Sequence, residues 1–122
     1  MNLETVRIVI QILIALTILN VWLVRFGKPT SWRGDSASNM KEEFEVYGLP
    51  GWFVPLIGGA KLVLAAALVV GVWVPALVQP AAIGMAILMA GAVAMHLKVQ
   101  DPPEKSFPAF SMLCLSVIIA WI

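Results

Sequence analysis

Five side chains in this sequence combine a reactive type with a telling position: Lys61, His96, Asn20, Arg25 and Lys28. Lys61 is the strongest. It stands about nine residues into the apolar run that begins at Trp52, roughly 13 Å along a helix. A cation that deep in hydrocarbon costs at least ~2.5–3.5 kcal/mol. It must snorkel to the interface, meet a counter-ion, face water or shed its proton. No Asp or Glu lies in an apolar run, so a counter-ion has to fold in from a loop; Glu42, Glu43 and Glu45 are the candidates. His96 stands near the end of the next run. At 100° per residue it shares a helix face with Met85, Met89 and Ala92. Histidine with two methionines is a set that copper or haem accepts. Methionine is also ordinary packing material, and no metal is assigned. What remains is a hydrogen-bonding or proton-handling imidazole, or a plain structural histidine.

Asn20 closes the first apolar run, and Arg25 follows just over one turn later. Antiparallel threading puts this end, the start of the second run and the end of the third on one membrane face. Asn20, Arg25, Lys28, His96 and Lys98 then share that face, with Lys61 deeper below it. Such a cluster can hold an anionic or quinone-like headgroup over an apolar cavity. The plainer alternative makes Arg25, Lys28 and Lys98 flanking anchors in the headgroups. Gln11 lies about 180° from Asn20 around the helix and cannot face the same pocket.

The elements that hold these residues follow from composition. Hydrophobic residues make up 61% of the 122-residue chain and charged residues 12%, against roughly 45–50% and about 25% in soluble domains. A soluble protein this short could not hide so much hydrocarbon. Charge is also clustered. Eight charged residues lie between Arg25 and Glu45, four between Lys98 and Lys105, and only Glu4, Arg7 and Lys61 elsewhere. The expected fold is all-α: a single integral-membrane domain, residues 1–122, with spans at about 3–24, 52–73, 80–97 and 107–122. Twenty apolar residues cross a hydrocarbon core of roughly 30 Å. A signal peptide is the rival reading of the first run, but the run is too long and Arg25-Phe26-Gly27-Lys28 replaces a cleavage site.

The first loop breaks regular structure at Gly27, Pro29, Gly34 and Asp35. Its second half predicts a short interfacial helix, with Asn39 and Glu42 at capping-box spacing. Met40, Phe44 and Tyr47 fall on one face, so this helix lies along the membrane or folds over the bundle. Trp32 and Trp52 suit the headgroup zone. Small residues at Ala82, Ala86, Ala90 and Ala94, and at Gly58-Gly59-Ala60, predict that spans two and three form the tight centre, with span one more lipid-facing. Basic residues in loops one and three place those loops in the cytoplasm and both termini outside.

Several classes are excluded. A net charge of +1, with no basic run interleaved with aromatics, gives no reason to expect nucleic acid. The single cysteine, Cys114, forms no internal disulfide or Cys-x-x-Cys pair and reads as a buried structural thiol. There is no nucleotide loop, zinc-ligand spacing or nucleophile elbow, so no catalytic residue is assigned and the chain is not assigned as an enzyme.

Certain segments resemble the DoxX-like family of small four-helix membrane proteins. Val24-Arg25-Phe26-Gly27-Lys28 is similar to the basic stretch after that family's first span. Gly48-Leu49-Pro50 and Gly58-Gly59-Ala60-Lys61-Leu62 are similar to the start of its second helix, Lys61 filling a position where relatives carry Glu or Lys. Ala94-Met95-His96 resembles the end of its third helix, and Lys98-Val99-Gln100-Asp101-Pro102 and Phe107-Pro108-Ala109 are similar to one bacterial branch. The family takes its name from a subunit linked to quinone-coupled sulfur oxidation. Other relatives are implicated in redox complexes, and a vertebrate branch acts as a receptor-assembly chaperone. The resemblance implies the fold more than any reaction.

The leading expectation is a subunit of the inner membrane that binds a small lipophilic or quinone-like molecule within a redox system. Lys61 and His96 would line the pocket and Arg25 and Lys28 would guard its mouth, with Asn20 a further binding residue on the same face. The alternatives are an assembly factor for a partner membrane or redox protein, and a small-solute transporter, which at four helices calls for a homodimer.

Overall fold

A computed structural model describes residues 2–122. All regular structure among them is helical. Helix α1 spans Leu3–Leu19, and the Asn2 side chain accepts a hydrogen bond from the Thr5 N–H at 2.9 Å to start it. It runs on through one π turn, Asn20–Val24, which the Arg25 N–H closes onto the Asn20 carbonyl at 2.8 Å. A short helix α2, Met40–Val46, follows in the first loop. Its cap is the one the spacing predicts: Asn39 Oδ1 accepts from the Glu42 N–H at 2.9 Å. Helices α3 (Phe53–Val70), α4 (Val78–Lys98) and α5 (Phe107–Trp121) complete the bundle.

Four helical stretches are long and apolar enough to cross a membrane: Leu3–Val24, Phe53–Val70, Pro75–Lys98 and Pro103–Trp121. Their backbone polar groups are satisfied within each helix, as lipid requires. The second span stops at Val70, short of the expected limit near residue 73, because Gly71–Trp73 fold into the turn. Pro108 falls at the start of α5, where a missing N–H leaves nothing unpaired.

Packing departs from expectation in two ways. The most extensive contact is α4 on α5, not the second span on the third. Ala90 and Ala94 are exposed, so the alanine stripe of α4 is buried only at its first half, around Ala81, Ala82 and Met85. Helix α1 is also more than a lipid-facing wall, since it buries Gln11, Ile14, Ala15 and Ile18 in the core. Cys114 is exposed on α5 rather than buried. Serial small residues report permission for close approach, and which of several such stripes is used depends on the partner helix.

Helix α2 folds over the bundle. Met40, Phe44 and Tyr47 are all buried, and the Phe44 ring meets Trp22 edge-on at 5.9 Å.

Candidate functional site

The π turn re-aims the end of α1. Such a turn shifts the following side chains around the helix axis, and here Asn20, Val21, Trp22 and Arg25 come to line one cavity of about 720 Å³. Helix α2 and the first loop cover it, and α3, α4 and the start of α5 wall it. Of the five residues named from sequence, Lys61, His96, Arg25 and Asn20 line this cavity. Lys28 is not among the lining residues; its side chain is exposed and only its carbonyl takes part, as an acceptor for Arg33 Nε at 2.9 Å. Lys98 is also turned elsewhere, donating to the Tyr47 carbonyl at 2.6 Å.

Lys61 is half-buried. Its Nζ lies 5.4 Å from the centroid of the Trp22 ring, a cation–π arrangement. Trp22 reaches that position because Gly58, one turn before Lys61, has no side chain. A Cβ there would stand 2.5 Å from the indole. Among the described residues Lys61 has no hydrogen bond or ion pair. Glu43, one of the three loop carboxylates considered as its counter-ion, lines the same cavity.

Glu43 is instead held by Arg33, at 3.1 Å. Arg33 is 4% exposed and spends its donors on the first loop. Nε donates to the Lys28 carbonyl, Nη2 to the carbonyls of Arg25 and Phe26, and Nη1 to Glu43. These carbonyls lie just past the end of a helix and have no partner within it. One buried guanidinium therefore ties the end of the first span to α2.

From Glu43 a polar chain runs across the covered end of the cavity. Tyr47 donates its hydroxyl hydrogen to Glu43 Oε2 at 2.9 Å. The Tyr47 hydroxyl oxygen also stands 3.5 Å from His96 Nε2, and the Tyr47 and His96 rings meet edge-on. His96 Nδ1 is 2.7 Å from Asp101 Oδ2. Asp101 Oδ1 accepts from the Asp35 N–H at 2.8 Å, which pins loop one to loop three. Gly34 makes this closure possible, because a Cβ there would stand 2.6 Å from the Tyr47 ring.

Burial pushes the Tyr47 hydroxyl well above its ordinary range, and the neighbouring Glu43 charge adds to the rise. It is a fixed hydrogen-bond donor at neutral pH. Burial alone would raise the Asp101 carboxyl. The hydrogen bonds from His96 and the Asp35 N–H, with the His96 and Lys105 charges, outweigh it and hold Asp101 below its ordinary value. Asp101 is ionised at neutral pH and can only accept.

A family model described as DoxX-like matches residues 9–119. The chain belongs to the DoxX-like family. With four membrane-length apolar helices, this DoxX-like protein is an integral membrane protein. Neither a curated protein nor a solved structure matches the chain.

Arg33, Glu43, Tyr47, Asp101 and Trp22 are the members of this DoxX-like site that the sequence reading did not name as a site. Two signals were present: Glu43 and Tyr47 stand four apart, on one side of a short helix, and Asp101 follows His96 by five residues, across the helix end. Arg33 gave none, being one arginine in a polar loop. The assembled chemistry is an apolar chamber with a cation beneath it and, at its covered end, an imidazole backed by a carboxylate.

Proposed function

We propose that this DoxX-like protein binds a small lipophilic, quinone-like molecule in the cavity at the loop end of the bundle, as part of a membrane redox system. One observation carries the reading. A single cavity, walled mainly by apolar side chains, brings the Lys61 amine and the His96 imidazole together inside a membrane domain. Ligand sites are concave and mostly apolar with a few convergent polar groups, and an ionisable residue inside a span marks function by default. A ring of quinone size fits about 720 Å³, with room for the first part of a tail. Lys61 would donate to a ring oxygen, and Trp22 would lie beside the ring. Asn20 and Arg25 would stand nearer the mouth, with Lys28 outside it. In this reading loops one and three face the cytoplasm.

The test is binding of a short-tailed benzoquinone to the protein in lipid nanodiscs, read by quenching of tryptophan fluorescence. Saturable quenching is expected for the native chain, with about tenfold weaker binding for Lys61→Met, the scale of one good hydrogen bond. Equal affinities in the two proteins would sink the reading.

A further inference from the structure

The hydrogen atoms around His96 can be assigned from the geometry. Ionised Asp101 has no proton to give, so the 2.7 Å contact places the imidazole hydrogen on Nδ1. In its neutral form the imidazole then carries a lone pair, and no hydrogen, at Nε2, whereas a protonated ring holds a hydrogen there. The nearest polar group to that atom is the Tyr47 hydroxyl at 3.5 Å. That hydroxyl has one hydrogen, and the shorter contact to Glu43 at 2.9 Å takes it. In that neutral form Nε2 is an acceptor whose nearest polar neighbour, at 3.5 Å, has its hydrogen committed to Glu43, in a residue only 5% exposed. A buried acceptor left unpaired costs free energy that a donor would restore. Asp101 does not line the cavity, whereas Tyr47 and His96 do, so Nε2 is on the cavity side of the ring.

We infer that the cavity is built for a ligand that donates a hydroxyl hydrogen to His96 Nε2: a phenol or hydroquinone, favoured over the corresponding quinone or ether. This rests on reading the cavity as a ligand site and narrows it to the reduced, hydroxyl-bearing form. His96 is the binding group. Asp101 is a positioning residue, acting through the imidazole by fixing which nitrogen holds the hydrogen, as a carboxylate orients a histidine in other sites. The oxygen of a quinone or an ether has no hydrogen to offer and would meet Nε2 lone pair to lone pair.

The test pairs two probes of nearly equal size, 4-hexylphenol and its methyl ether, on the protein in nanodiscs, with calorimetry as the readout. Simple partitioning into lipid favours the ether, so the control runs against the expectation. The native protein should bind the phenol about tenfold more tightly, the amount one hydrogen bond supplies. His96→Ala should remove that preference. The chain has one histidine, so ¹⁵N-histidine labelling gives one imidazole to read. At pH 8.5 its spectrum should show Nδ1–H with Nε2 unprotonated, and Nε2 should shift when the phenol is added. Asp101→Asn should let both tautomers appear, since an amide can face either way. Equal binding of phenol and ether by the native chain overturns this inference while leaving the apolar site in place. An Nε2–H tautomer also overturns it. Failure of both probes to bind overturns the proposed function along with it.

Discussion

The two ends of the bundle solve one problem differently. Each must place polar groups among apolar helices. At the short-turn end, between α3 and α4, two glutamines do so, Gln79 Nε2 donating to the Ala120 carbonyl at 2.8 Å. Gln11 is fully buried; its Nε2 donates to the Leu68 carbonyl at 2.8 Å and its Oε1 accepts from Arg7 Nε at 3.0 Å. The turn's backbone N–H groups go to Ala67, Val69 and Val70 and leave Leu68 without one, so Gln11 completes the end of α3. At the loop end, Arg33, Glu43, Tyr47, His96 and Asp101 form a chain, yet Nε2 and the Lys61 amine remain without matching partners. The first end spends its glutamine amides on helix carbonyls and leaves the buried Ser116 hydroxyl unpaired among the described residues. The second places its open groups beside a cavity, and that placement, rather than an unpaired atom as such, separates the two ends.

Arg33 tests the contrast most severely. Arg33→Met leaves Glu43, 12% exposed at its side chain, without a cation and strands the Lys28 carbonyl, while those of Arg25 and Phe26 keep the Lys28 and Met40 N–H groups. Breaking a buried pair at one partner costs about 3–5 kcal/mol, so a large fall in thermal unfolding temperature in detergent is expected. Arg33→Met with Glu43→Gln should recover part of it, because the uncompensated charge is gone. No loss in the single variant would mean the loop end is not held as described.

Gln11→Leu probes the other end and should cost less, about 1–3 kcal/mol for the unpaired Leu68 carbonyl. Gln11 does not line the cavity, so benzoquinone binding should be unchanged. A loss of binding without a loss of stability would erase the distinction between the two ends.

The sequence made the spans legible because hydrocarbon thickness and helical rise leave little choice for long apolar runs. It made Lys61 and His96 legible for the same reason, as polar groups where lipid forbids them. The cap of α2 was readable from Asn39 and Glu42, and its buried face from Met40, Phe44 and Tyr47. The loop network was not. Arg33 and Asp101 sit in polar segments where charge needs no explanation, and only the closure of loop one on loop three gives them partners. The π turn was equally hidden, since Asn20–Val24 has the composition of any helix. Helix pairing eluded the small-residue pattern because α3 and α4 both carry it.

Tyr47 gives the smallest effect and the one most specific to the loop end. Its hydroxyl is held above an ordinary value of about 10. A raised value means the folded protein resists losing this proton while the unfolded chain gives it up. The contribution to stability is therefore fully present below pH 10 and is lost as pH climbs from there through the folded value. The slope in that window is about 1.4 kcal/mol per pH unit for one such group, or about 1 kcal/mol between pH 10 and 11. Unfolding in detergent followed across this interval should show that decline in the native chain. Tyr47→Phe has no proton to lose and should be less steep by this amount. The same variant frees Glu43 Oε2 of a hydrogen bond, which lowers stability at every pH but adds no slope near 10. Parallel curves for the two proteins would place the Tyr47 hydroxyl in water rather than against Glu43.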